Sequence, residues 1–136
     1  MTVGAKNLRK VTAPRILACV AAVSLPVLVH PPTAHAEDVV TYEVASDTVT
    51  VADIEYQTST GRMSAGSVAL PWRIDTAVRT VDGPPPHGSQ VRADWRRDAA
   101  PRRWVSVRVI HRGKVICQNT LDIGGAACYG AVRRIT

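Results

Sequence analysis

The chain has 136 residues, 17 basic and 11 acidic, with a formal net charge of +6. Four of the bases and none of the acids precede Glu37, so residues 37–136 hold 13 bases against 11 acids. A net +2 over that stretch is too small to argue for a nucleic-acid partner, and its 100-residue length limits it to one domain with one modest core.

Residues 1–15 carry Lys6, Arg9, Lys10 and Arg15 and no acid. An apolar run follows over 16–29, broken only by Ser24 and containing Pro26, and the chain then reads Ala34-His35-Ala36. A basic segment, a short apolar core and an A-x-A site predict a secretory signal peptide over 1–36, cleaved before Glu37. The competing reading is a retained membrane anchor, but a spanning helix needs about 20 apolar residues. Residues 37–136 are therefore expected to form a single extracytoplasmic domain, secreted or envelope-associated, and membrane-anchored if the segment stays attached. Within it, residues 37–61 hold six acids and no base, and residues 62–136 hold 13 bases and five acids. That asymmetry predicts one acidic and one basic face or end.

Valine is abundant here, leucine is limited to Leu70 and Leu121, and phenylalanine is absent, which favours strands over helices. Residues 39–45 (VVTYEVA) and 49–56 (VTVADIEY) read as the first two strands, and 57–63 (QTSTGRM) as a polar turn around Gly61. Residues 67–71 and 73–80 read as a third and fourth strand, interrupted at Leu70-Pro71-Trp72. Proline cannot donate to a ladder, so the break marks a sheet edge, a bulge or a crossover. Trp72, beside Leu70, is expected to point into the core. Residues 82–90 (DGPPPHGSQ) are loop-like. Residues 91–95 alternate again, and 96–103 form a charged connection.

Residues 104–118 (WVSVRVIHRGKVICQ) hold the clearest pattern. Val105, Val107 and Val109 alternate with Ser106 and Arg108, the period of a half-buried strand. A three-residue loop of His111, Arg112 and Gly113 would pair Val109 with Val115 and Val107 with Cys117, leaving one apolar face on both strands. A Gly124-Gly125 turn and a last strand over 126–132 close the chain. Seven or eight short strands at this spacing predict an all-β fold, a small antiparallel β-sandwich of immunoglobulin type, with a small barrel as the alternative.

Cys117 and Cys128 are the two cysteines of the exported part, and an oxidising compartment makes a disulfide between them the expectation. Antiparallel pairing around a loop over 120–125 would set them opposite each other. No cofactor is expected and no metal either, since His87 and His111 lack ligand spacing to the cysteines. There is no G-x-S-x-G, and the two histidines read as solvated loop residues, so an enzyme is not expected. In residues 92–104 (RADWRRDAAPRRW) five arginines interleave with Trp95 and Trp104. Such a pattern can stack single-stranded nucleic acid, but in an exported protein lipid headgroups or an acidic partner surface are the more plausible anions. The plainer reading puts the arginines in solvent and both tryptophans in the core.

Taken in order, Val40-Thr41-Tyr42-Glu43-Val44, Ile54-Glu55-Tyr56 before Gly61, Leu70-Pro71-Trp72, a valine strand running to the turn at Gly113, and Gly125-Ala126-Ala127-Cys128 resemble the soluble domain of the mycobacterial MmpS family. These are small accessory proteins of large RND-type lipid and siderophore exporters. The resemblance spans about residues 39–130, and its weight lies in order and spacing. It implies a non-enzymatic transport accessory or binding domain at the cell envelope, with a large RND-type transporter or an envelope lipid as partner. Its contact surface would combine the Leu70-Pro71-Trp72 break with neighbouring loops. The chain departs from the family in its cleavable leader and in a first cysteine placed after the turn, at Cys117, rather than near Val107. The alternative is a free secreted β-sandwich, adhesin- or antigen-like, with no transporter.

Overall fold

The computed structural model describes residues 36–131, together with the single positions Gly4 and Val29. The chain divides into two units, residues 1–33 and 34–136. The expected signal peptide lies almost wholly outside the described residues. Among them, no helix is long and apolar enough to cross a membrane.

Among the described residues eight strands form: β1 (Asp38–Ala45), β2 (Val51–Thr58), β3 (Gly61–Ala69), β4 (Trp72–Val78), β5 (Gln90–Asp94), β6 (Val105–His111), β7 (Lys114–Leu121) and β8 (Gly125–Tyr129). They make two antiparallel four-stranded sheets, ordered β4-β1-β6-β7 and β3-β2-β5-β8. The expected small sandwich is what the chain builds. β1 pairs with β4 in one sheet and β2 with β5 in the other, as strands B with E and C with F do in an immunoglobulin domain. β6 and β7 then extend the first sheet, and β8 extends the second.

The core follows from alternation. Val40, Tyr42 and Val44 of β1, Ala52 and Ile54 of β2, Val91 and Ala93 of β5, and Val105, Val107 and Val109 of β6 all face between the sheets. Trp72 stands opposite Val44 and so shares its inward face. Its ring packs against Tyr56 at a centroid distance of 5.4 Å, and Tyr56 lies 5.9 Å from Tyr42. The three aromatics form a file from the β4 edge to the middle of the core, which compensates for the missing phenylalanines.

The central hairpin differs from the sequence expectation. Its loop is the two-residue turn Arg112-Gly113, with φ of 51° and 74°, and His111 pairs with Lys114. Two successive positive φ values are those of a type I′ turn, whose twist suits a hairpin and in which glycine at the second position carries no Cβ penalty. A bulge between Val109 and Ile110 lets β7 gain the unpaired residue Ile116, so Val109 faces Cys117 and Val107 faces Asn119. The expected pairs Val109–Val115 and Val107–Cys117 do not form. The bulge corrects the parity that a two-residue turn alone would break and returns Cys117 and Leu121 to the inner face, with the polar Asn119 between them.

The disulfide forms between Cys117 and Cys128, with Cα atoms 5.7 Å apart. Its path differs from the expected pairing of adjacent strands. β7 pairs only with β6, and β8 only with β5, so the bridge ties the two sheets together and does not lie within one of them. The short turn after Leu121 carries the chain across the edge, where two inward-facing cysteines meet. Asn119 Nδ2 donates to the Ala127 carbonyl at 3.3 Å and seals the same edge. Closing a loop of this length is worth about 2–3 kcal/mol. Reduction is therefore expected to lower the melting temperature by about 10–20 °C; an unchanged melt in reductant, with free thiols confirmed by mass, would contradict this.

Three other expectations need correction. The polar turn over 57–63 shrinks to Ser59-Thr60, because β3 already starts at Gly61 and pairs with β2 along its whole length. The last strand ends at Tyr129, and Val132 lies outside the described residues. The acidic and basic halves of the sequence do not become separate faces. β1 lies between β4 and β6, so Glu43 sits between Arg73 (3.2 Å) and Arg108 (3.0 Å).

Candidate functional site

The four connections at one end of the sandwich are β1–β2, β3–β4, β5–β6 and β7–β8. Each of the first three is tied to another. Ser46 Oγ donates to the Trp104 carbonyl at 2.6 Å and accepts from the Val49 amide at 2.8 Å, so one hydroxyl shapes the β1–β2 turn and fastens it to the β5–β6 loop. The Leu70 amide donates to the Thr50 carbonyl at 2.9 Å, which fixes the β3–β4 crossover to the other side of the same turn. The Trp95 amide donates to the Gly124 carbonyl at 2.8 Å. Gly124 has φ +92°, and a Cβ there would sit 2.9 Å from Arg96 Cγ, so glycine is what lets the β5–β6 loop lie down on the β7–β8 turn.

Leu70 and Pro71 lie at this break, where the chain crosses from one sheet to the other through a cis peptide. Pro71 is exposed, whereas Leu70 and Trp72 are both partly buried and packed against the core, so the break supplies Pro71 alone to the surface. The surface tryptophan is Trp104, which is 50% exposed, whereas Trp95 is 2% exposed. The plain reading of residues 92–104 therefore holds for Trp95 and fails for Trp104. The signal was present: Val105 faces inward, and a period of two sends its neighbour outward.

Around Trp104 the 96–104 loop exposes Arg96, Arg97, Arg102 and Arg103. Arg96 is committed to Asp94, whose carboxyl it holds below the usual carboxylate range. Arg97, Arg102 and Arg103 have no ion-pair partner among the described residues, and Arg103 reaches only the Asp98 carbonyl. Asp47, Asp98 and Asp122 belong to the same set of loops, so this end is not a uniform cationic field. A half-exposed tryptophan, free guanidiniums, a proline and the 74% exposed Ile123, with acids interspersed, have the composition of a protein–protein contact more than that of a polyanion track.

The histidines are not brought together. His111 ends β6, with its Nε2 3.3 Å from Asp38 Oδ1, and is not the solvated loop residue expected. His87 lies exposed in the 79–89 loop. Among the described residues no hydroxyl or thiol is hydrogen-bonded to either imidazole, and no cluster of three or more His, Cys, Asp and Glu converges as metal ligands. No family model matches the chain, and no curated protein matches it.

Proposed function

We propose that this chain is an exported, non-enzymatic accessory or binding domain of the cell envelope, similar to the MmpS family, and that it docks on a large RND-type membrane transporter. The observation that carries the reading is the loop end: Trp104, Pro71 and arginines with no ion-pair partner among the described residues, exposed on a frame that Ser46, Thr50 and Gly124 hold fixed. Surfaces of that kind bind through a central aromatic and flanking arginines. The order of motifs along residues 39–130 supports the choice of partner, and the disulfide suits an oxidising compartment.

Trp104→Ala is the discriminating variant. Its side chain is half in solvent, so stability should change by less than about 1 kcal/mol. Co-purification of the transporter from envelope membranes should fall at least about tenfold, as for loss of an interface anchor. Undiminished co-purification by Trp104→Ala would move the contact elsewhere. A chain found only in culture fluid, with no transporter in any pull-down, would favour the free secreted sandwich.

A further inference from the structure

We infer that the opposite end of the sandwich holds a binding pocket for a phosphate-type oxyanion. A cavity of ≈ 250 Å³ opens between the β2–β3 turn and the 79–89 loop, lined by Gln57, Ser59, Thr60, Gly61, Arg62, Arg79, Pro86 and His87. Two guanidiniums, an imidazole and the Ser59 hydroxyl line it, and among the described residues no carboxylate does; the Thr60 hydroxyl is turned to Thr58 Oγ1 at 3.0 Å. A lining of that kind matches an acceptor with several oxygens, and guanidiniums meet such a group through paired hydrogen bonds.

The cationic groups are held in place. Arg79 Nε donates to the Ser59 carbonyl at 2.7 Å, which fixes the plane of its guanidinium, and its terminal nitrogens have no partner among the described residues. Arg62 Nη2 donates to Gln90 Oε1 at 3.1 Å, while its other terminal nitrogen has only a distant carboxylate, Glu55 at 3.8 Å. The turn between them is pinned as well. Thr58 Oγ1 donates to the Gly61 carbonyl (2.9 Å) and accepts from the Thr60 amide (3.2 Å), and the Ser59 amide donates to Ala77 of β4 (2.7 Å). Beneath the turn, Gln57 is 6% exposed; its Nε2 donates to the Thr58 carbonyl at 3.2 Å, and its acceptor Oε1 has no hydrogen-bond partner among the described residues. Gln57 and Gln90 are both held by the Tyr42 hydroxyl in the core. The two guanidiniums are thus set before any ligand arrives, which lowers the ordering cost of binding.

The ligand is a phosphate, whether free in solution or as a lipid headgroup, and the test separates the two. The 15N-labelled full chain is titrated with inorganic phosphate at neutral pH, and separately mixed with phosphatidylcholine vesicles with and without phosphatidic acid. Saturable shifts of the Ser59, Thr60, Gly61 and Arg79 amides are expected, weakened about tenfold in Arg79→Ala and unchanged in Arg97→Ala at the far end. Arg79 is exposed, so a melting temperature within about 2 °C of wild type is expected for that variant. Vesicle binding that needs phosphatidic acid and is lost in Arg79→Ala assigns the headgroup. Shifts with inorganic phosphate and no vesicle binding assign a soluble phosphate. If neither probe perturbs these residues, or Arg79→Ala responds as wild type does, the pocket is not an oxyanion site.

Discussion

Trp72→Ala is expected to lower stability by about 3 kcal/mol and the melting temperature by about 15 °C. Trp72 occupies the inner face of an edge strand, opposite Val44 and against the Tyr56 ring. Its neighbours cannot collapse into the space it leaves. β1 and β2 are each paired on both sides, and residues 37–136 have no phenylalanine and only two leucines to shift inward. The cost stays near the lower end for a core tryptophan because the side chain is partly exposed. Trp72→Phe, which keeps a ring beside Tyr56, should recover more than half of the loss. A Trp72→Ala melt that matched wild type would show the aromatic file to be dispensable.

Tyr42→Phe is expected to cost about 2–4 kcal/mol although it removes a single oxygen. The hydroxyl donates to the Gln57 carbonyl at 2.8 Å and accepts from the Gln90 amide at 3.0 Å, joining β1 of one sheet to β2 and β5 of the other. Without it, two buried main-chain groups lose their partner, at about 1–3 kcal/mol each. The same hydroxyl gives the protein an alkaline limit. Burial pushes the Tyr42 pKa up to about 12 from the ordinary 10, against the smaller opposing effect of the Gln90 amide. The folded chain therefore keeps a proton that the unfolded chain has already released. The resulting stability is fully present below about pH 10 and is lost as pH rises toward about 12, about 2–3 kcal/mol in all. Stability of the wild type minus that of Tyr42→Phe, followed across this window, should shrink with rising pH. A constant difference would mean that the phenol ionises as readily in the folded chain.

The two-sheet fold was legible because β1, β5 and β6 alternate cleanly, and Pro71 marked a break that proves to be the passage between sheets. β3 was legible only in its second half. Gly61 to Ala69 is glycine, serine, alanine and methionine for the most part, and it is a strand because β2 offers it an open edge, not because of its own propensity. The pairing of Cys117 with Cys128 was legible because they are the two cysteines of residues 37–136, but its path was not. An 11-residue separation suits a hairpin and a sheet-to-sheet turn equally. The hairpin register was not legible for a related reason: a bulge adds one residue without any local mark, and Ile116 looks like any other strand isoleucine.

The candidate site was half legible. Of the Leu70-Pro71-Trp72 break, Pro71 reaches the surface, while Leu70 and Trp72 pack against the core. Trp104 was assigned to the core, although the parity of Val105, Val107 and Val109 placed it outside. The Tyr42 network left no sequence signal at all, since its members lie 15 and 48 residues apart. The charge asymmetry pointed the wrong way for a physical reason. Sheet pairing places β1, rich in acids, between strands that carry arginines, so segregation in sequence becomes neutralisation in space.

The most direct test is photo-crosslinking in intact producing cells, with a photoreactive residue in place of Trp104. The account predicts a covalent adduct with a large polytopic RND-type membrane protein, identified by peptide mass mapping, and no such adduct from a probe at Thr76 on the inner face of β4. If position 104 yields no adduct while the protein is exported and folded, the loop end is not a docking surface and the accessory role is wrong.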